Sequence, residues 1–167
     1  MVGRVNDSAG EAQPALDEID AVLAAANVLL RVAAQSVLDV EEIVTTPQLR
    51  VLILIAASGP QNLGAVAAEL GVHPSNATRT CDRLVQAGLI ARTEHRADRR
   101  YLHLALTERG RDLVSHVLER RRRAIADILS RMSADQRAAT ARALSGFAAA
   151  AGGEGTRDGR FALSLPK

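Results

Sequence analysis

The stretch NLGAVAAELGVHPSNATRTCDRLVQAGLI, residues 62–90, holds the punctuation that decides the fold. Asn62 suits a helix N-cap, and Gly71 supplies the left-handed residue that ends a helix running through Leu70. His73-Pro74 opens a second helix, which continues to about Ala87 and stops at Gly88. Two helices of about eight and fourteen residues, joined by Gly71-Val72-His73, have the shape of a helix-turn-helix. On the second of them Ala77, Cys81, Leu84 and Val85 share one face, which must be the inner one. Asn76, Arg79, Thr80 and Arg83 fall opposite, with Ser75 in the exposed first turn.

Past Gly88 the period changes from helical to twofold. Leu102, Leu104 and Leu106 alternate with Tyr101, His103 and Ala105, and Leu89 to His95 can form an antiparallel partner strand. Arg96-Ala97-Asp98-Arg99 is then the turn of a hairpin with a basic tip. Thr107 caps a long helix to about Met132, with Leu113, Val117, Ile125, Ile128 and Leu129 toward the interior. Ser133 and Gln136 have capping-box spacing for a last helix carrying Leu144 and Phe147.

Upstream, Thr46-Pro47 reads as an N-cap followed by a first helical residue, and Gly59-Pro60 as the stop. Before it, Pro14 sits well at the start of a helix in which Leu16, Ile19, Leu23, Ala26, Leu30, Ala33, Val37 and Val40 recur at spacings of three and four. That is a coiled-coil-like seam, widened by Val22 and Leu29. Such a helix serves either as a core element of one subunit or as a contact with a second.

The chain of 167 residues is 47% hydrophobic and 24% charged, the balance of a globular protein. Aromatics amount to 2%, which disfavours stacking of sugars or single-stranded bases. The longest apolar run, Val51 to Ala57, is too short to span a membrane, and the polar N-terminus lacks the apolar core of a signal peptide, so a cytoplasmic address with no membrane contact is expected. Cys81 is the single cysteine and can form no disulfide within the chain. Charge is uneven: residues 1–46 carry two Arg against eight acids, residues 47–106 seven Arg against four. Arginine is the cation best fitted to fork onto phosphate or guanine.

The order of these elements carries a resemblance. Val51-Leu52 and Leu54 stand before Gly59, Ala67 to Leu70 before Gly71, and Arg83-Leu84 before Gly88-Leu89; Asp98-Arg99-Arg100 is then followed by Leu106-Thr107-Glu108-Arg109-Gly110. Over about residues 16–150 the chain resembles the MarR family of winged helix-turn-helix transcription regulators. The resemblance implies a mainly α fold with a small β-hairpin wing, whose N- and C-terminal helices form a dimerisation region. It implies an N-terminal dimerisation helix (14–46), a winged DNA-binding domain (47–106) and C-terminal dimerisation helices (107–151), while the residues themselves read as a flexible leader at 1–13 and, from the glycine and charge that follow Gly152, a loose tail at 152–167. It further implies a homodimer that binds a pseudo-palindromic double-stranded DNA operator, usually as a repressor.

Under that resemblance Ser75, Asn76, Arg79, Thr80 and Arg83 form the reading face. Arg can fork onto guanine and Asn onto adenine, while Ser and Thr serve bases or phosphate. Asp82, beside Arg83, is placed to orient it. In the wing, Asp98 holds the turn in shape as its family counterpart does, Arg100 reaches the minor groove, and Arg96 and Arg99 meet phosphates. Leu16, Ile19, Leu23, Leu30, Leu144 and Phe147 are the dimer contacts. A small aromatic or amphipathic effector binds between dimer body and winged domain, where the family commonly places it. The alternative is a winged-helix module for protein–protein contact, in which Arg79, Arg83 and Arg100 are dispensable.

No cofactor or metal is expected. His95 and His103 could lie across the hairpin from one another, but without a carboxylate or Cys nearby they make a poor zinc site. Catalysis has no constellation either, because Cys81 on the inner face stands apart from His73. A buried structural thiol is the expectation for Cys81. Relatives that sense oxidants use a cysteine near the start of the first helix, and this chain has none there.

Overall fold

A computed structural model describes residues 14–94 and 102–152. Its elements are α1 (Leu16–Gln35), α2 (Thr46–Ser58), α3 (Leu63–Leu70), α4 (Pro74–Gln86), β1 (Ile90–Glu94), β2 (Leu102–Leu106), α5 (Glu108–Ser130) and α6 (Ala134–Ala150), with a 3-10 turn at Leu38–Val40. The leader, residues 95–101 and the chain from 153 onward lie outside the described residues, and with them His95, Arg96, Asp98, Arg99 and Arg100.

The helix ends follow local chemistry. Asn62 Oδ1 accepts the Ala65 N–H at 2.8 Å, and Gly71 closes α3 at φ +66°, a conformation that costs a residue with a Cβ. Ser133 and Gln136 close a reciprocal box at the start of α6. Two starts differ from the sequence expectation. Thr45, not Thr46, caps α2, since Gln48 Oε1 accepts the Thr45 N–H at 2.7 Å and puts Pro47 one residue further in. Helix α1 starts at Leu16 rather than Pro14, because Ala15 takes the cap position and its N–H donates to Glu18 at 3.0 Å.

The expected seam to Val40 is also interrupted. Helix α1 ends at Gln35, the Ser36 hydroxyl donates to the Ala33 carbonyl at 2.7 Å, and the 3-10 turn swings Val40 into the core. Leu16–Val40 is nonetheless long and apolar enough to cross a membrane, which contiguous runs did not reveal. Length and composition are weak evidence for that role, since an apolar helix packed on protein passes the same test; here Val32 and Ser36 are buried and α1 lies against α5.

Strands β1 and β2 pair antiparallel, with Ile90 opposite Leu106 and Thr93, not residue 95, opposite His103. Gln61 adds a bridge, donating to the Leu104 carbonyl at 3.0 Å and accepting its N–H at 2.7 Å, which ties the entry to α3 onto the hairpin. Leu52, Val66, Cys81, Leu84, Leu89 and Val117 are fully enclosed, so α2 to α4, the hairpin and the first half of α5 share one core. Each large apolar side chain buried there stabilises the fold by roughly 1.5–3 kcal/mol. The second half of α5 departs from expectation: Ile125, Ile128 and Leu129 are only half-buried, because α6 offers no buried residue to cover them.

Candidate nucleic-acid interface

Helix α4 owes its place to its inner face. Ala77, Cys81 and Leu84 have no exposed surface, and the small Ala77 and Cys81 let the helix lie close against α2 and α3. At the N-terminus Pro74 sets the first helical residue, and His73 Nδ1 lies 3.0 Å from Ser75 Oγ and accepts the Ser75 N–H at 3.4 Å. Ser75, Asn76, Arg79 and Arg83 are exposed and Thr80 is half-exposed, so the five expected reading residues come together on the outward surface.

Their hydrogen bonds are unequal. Arg79 Nη2 donates to Asn76 Oδ1 at 2.6 Å, one helical turn back. The Thr78 and Thr80 hydroxyls donate to the carbonyls of Pro74 and Asn76, both at 3.0 Å. The Arg83 side chain has no hydrogen-bond or ion-pair partner among the described residues.

Asp82 does not orient Arg83. It forms an ion pair with Arg92 on β1, because successive residues on a helix point about 100° apart and Asp82 is turned toward the hairpin. Sequence reasoning missed Arg92; its only signal was a cation two residues past Ile90, on the face of β1 that lies opposite Leu104 and Leu106. Cys81 next to this pair has its thiol pushed up to about 11, first by burial and then by the Asp82 charge, partly opposed by Arg92. A thiol so placed is protonated at neutral pH and a weak nucleophile.

The wing is held to the long helix at its base. Thr107 Oγ1 donates to the Gly88 carbonyl at 2.7 Å while accepting the Gly110 N–H at 3.1 Å, and Arg109 Nη1 donates to the Ala87 carbonyl at 3.1 Å. Gly110 has no room for a side chain: a Cβ there would sit 2.0 Å from the Leu89 carbonyl oxygen. The Leu-Thr-Glu-Arg-Gly motif thus clamps the end of α4 to the start of α5.

On the far side, a cavity of about 360 Å³ opens between α1, the 3-10 turn, α2 and α5, with Leu30, Val37, Val44, Leu49 and Arg121 in its wall. Arg121 is 6% exposed, donates to Ser36 Oγ at 3.3 Å, and has its pKa lowered by burial. Next to it Asp39 pairs with Arg120 and approaches His116 Nε2 at 3.5 Å, pinning the turn after α1 to α5. Among the described residues no cluster of three His, Cys, Asp or Glu could hold a metal ion.

Residues 44–102, from just before α2 to the first residue of β2, match the MarR family. The solved structure of RV1404 from Mycobacterium tuberculosis is 44% identical, aligned over 84% of this chain and 97% of its own, with a TM-score of 0.75. The chain belongs to the MarR family. Among its MarR-like relatives, the HTH-type transcriptional repressor MdtR of Bacillus subtilis is 37% identical over 56% of this chain and 60% of its own length. The transcriptional repressor MprA of Escherichia coli is 38% identical over 41% of this chain and 39% of its own. The chain therefore spans between about two fifths and three fifths of these repressors, and the MarR match takes in α2, the helix-turn-helix and β1.

Proposed function

We propose that the protein is a sequence-specific double-stranded DNA-binding transcriptional regulator, acting as a repressor on a pseudo-palindromic operator. The observation that carries this reading is α4 itself: one face has no exposed surface and the other displays Asn76, Arg79 and Arg83, as a helix needs if it is to lie in a major groove. Relatives named as transcriptional repressors support it.

The same reading makes the active species a homodimer. On α1, Leu16 is 80% exposed and Leu30 63%, with Ile19 and Leu23 also exposed; on α6, Leu144 and Phe147 are exposed. A 17-residue helix without a buried residue is marginal alone in water, so α6 gains its stability from a second subunit that covers these side chains. The cavity beside Arg121 lies between these body helices and the winged region. Its apolar walls and buried guanidinium suit a small amphipathic effector that releases DNA. In the wing, Arg100 enters the minor groove, Asp98 shapes the turn, and Arg96 and Arg99 meet phosphates.

The test is selection of duplexes from a randomised pool, followed by binding titrations at several salt concentrations. Palindromic enrichment supports the reading. Arg100→Ala should then reduce the salt slope by about one counterion with little change in sequence preference. A chain that enriches no motif is not a sequence-specific regulator.

A further inference from the structure

Asn76 carries the side chain whose pairing with a base is hardest to read from sequence, because a carboxamide can bracket adenine by accepting from its N6 amino group and donating to N7. In the structure Asn76 Oδ1 already accepts the Arg79 guanidinium at 2.6 Å. Only the oxygen can face that guanidinium, since the amide nitrogen would set donor against donor. That oxygen keeps a second lone pair, but an adenine amino group using it would bring its partly positive N–H up against the bound cation. Guanine has no such conflict, because O6 and N7 are both acceptors for the remaining Arg79 N–H groups. No neighbouring hydroxyl competes for the oxygen: Thr78 and Thr80 spend their protons on the backbone carbonyls of Pro74 and Asn76.

We infer that Asn76 does not read adenine but acts as the positioning residue of Arg79, whose remaining N–H groups select guanine in each half-site. The inference rests on the DNA-binding reading above. Holding a long guanidinium in place before contact reduces the rotamer freedom lost on binding, so Asn76 adds to affinity at the base that Arg79 touches rather than at a base of its own.

Selection from a random duplex pool, run on the full chain and its variants, tests this. The wild type should enrich guanine at one position per half-site, which Arg79→Ala relaxes. Asn76→Ala should relax that same position and weaken binding to the selected site about five- to a hundredfold, and adding it to Arg79→Ala should cost little more. Asn76→Asp keeps the acceptor but loses the amide donor, so it should retain the guanine preference. The variants lie on an exposed surface, and an unchanged thermal midpoint by circular dichroism shows that the fold is intact. If Asn76→Ala instead relaxes a separate position occupied by adenine, or Asn76→Asp abolishes the guanine preference, the pairing is wrong while the regulator reading stands. If the wild type enriches nothing, both fall together.

Discussion

Asp82 on α4 and Arg92 on β1 form an ion pair that joins the recognition helix to the wing strand. Each side chain is a little over 40% exposed, so the pair contributes at most about 1 kcal/mol to stability. Its consequence is geometric: the hairpin cannot swing without dragging the charge that faces it. Arg92→Ala should leave the melting temperature nearly unchanged yet weaken operator binding about tenfold, since the wing loosens and Asp82 is left to repel phosphate. Adding Asp82→Ala should restore part of that loss. Fluorescence anisotropy on the two single variants and the double variant measures it, and strict additivity would dissolve the proposed coupling.

Gly110 is the most tightly enclosed of the described glycines. A methyl group there meets the Leu89 carbonyl oxygen at 2.0 Å and the carbonyl carbon at 3.0 Å, neither of which can yield like a flexible side chain. Gly110→Ala should destabilise the protein by about 3 kcal/mol or more by urea unfolding. A variant as stable as the wild type would mean that α5 and Leu89 are not clamped.

Cys81 gives stability a pH dependence with a definite sign. Its pKa in the folded chain lies at about 11, above the ordinary value of 9.0, so the contribution is complete below pH 9 and is lost as pH rises toward 11, where the unfolded thiol ionises and the folded one does not. Two pH units correspond to roughly 2–3 kcal/mol as an upper figure. Denaturant titrations between pH 8 and 11 should show the decline in the wild type and a shallower one in Cys81→Ala. Equal slopes would place the thiol in water.

Leu23 and Leu30 are 55% and 63% exposed on a single chain, so glutamate at both positions costs an isolated subunit little. If a second subunit covers them, each charge is buried without a partner and costs several kcal/mol. Leu23→Glu combined with Leu30→Glu should therefore shift sedimentation to the monomer, with dissociation and unfolding coinciding because the terminal helices have little else to fold upon. A double variant that remains a folded dimer at full operator affinity would remove α1 from the interface.

The helix-turn-helix was legible because its signals are local. Asn62, Gly71 and Pro74 act within one turn of backbone, and the spacing of Ala77, Cys81 and Leu84 names the inner face whatever lies beneath it. The alternation of Leu102, Leu104 and Leu106 likewise gave the hairpin, and Thr107 the start of the long helix.

The amino-acid order therefore determined where helices start and stop and which face of each is apolar, since capping, left-handed glycine and periodicity act over a few residues. Tertiary structure alone decided which charges meet. The 3.6-residue period of α4 turned Asp82 from Arg83 toward Arg92, ten residues away, and α1 ended at Gln35, where the Ser36 hydroxyl turns back to the Ala33 carbonyl, although the seam's spacing continues to Val40. Arg121 reaches Ser36 across 85 residues of chain. Electrostatic partners are set by distance in space, and a sequence pattern carries that distance only when the partners share one helix or one hairpin.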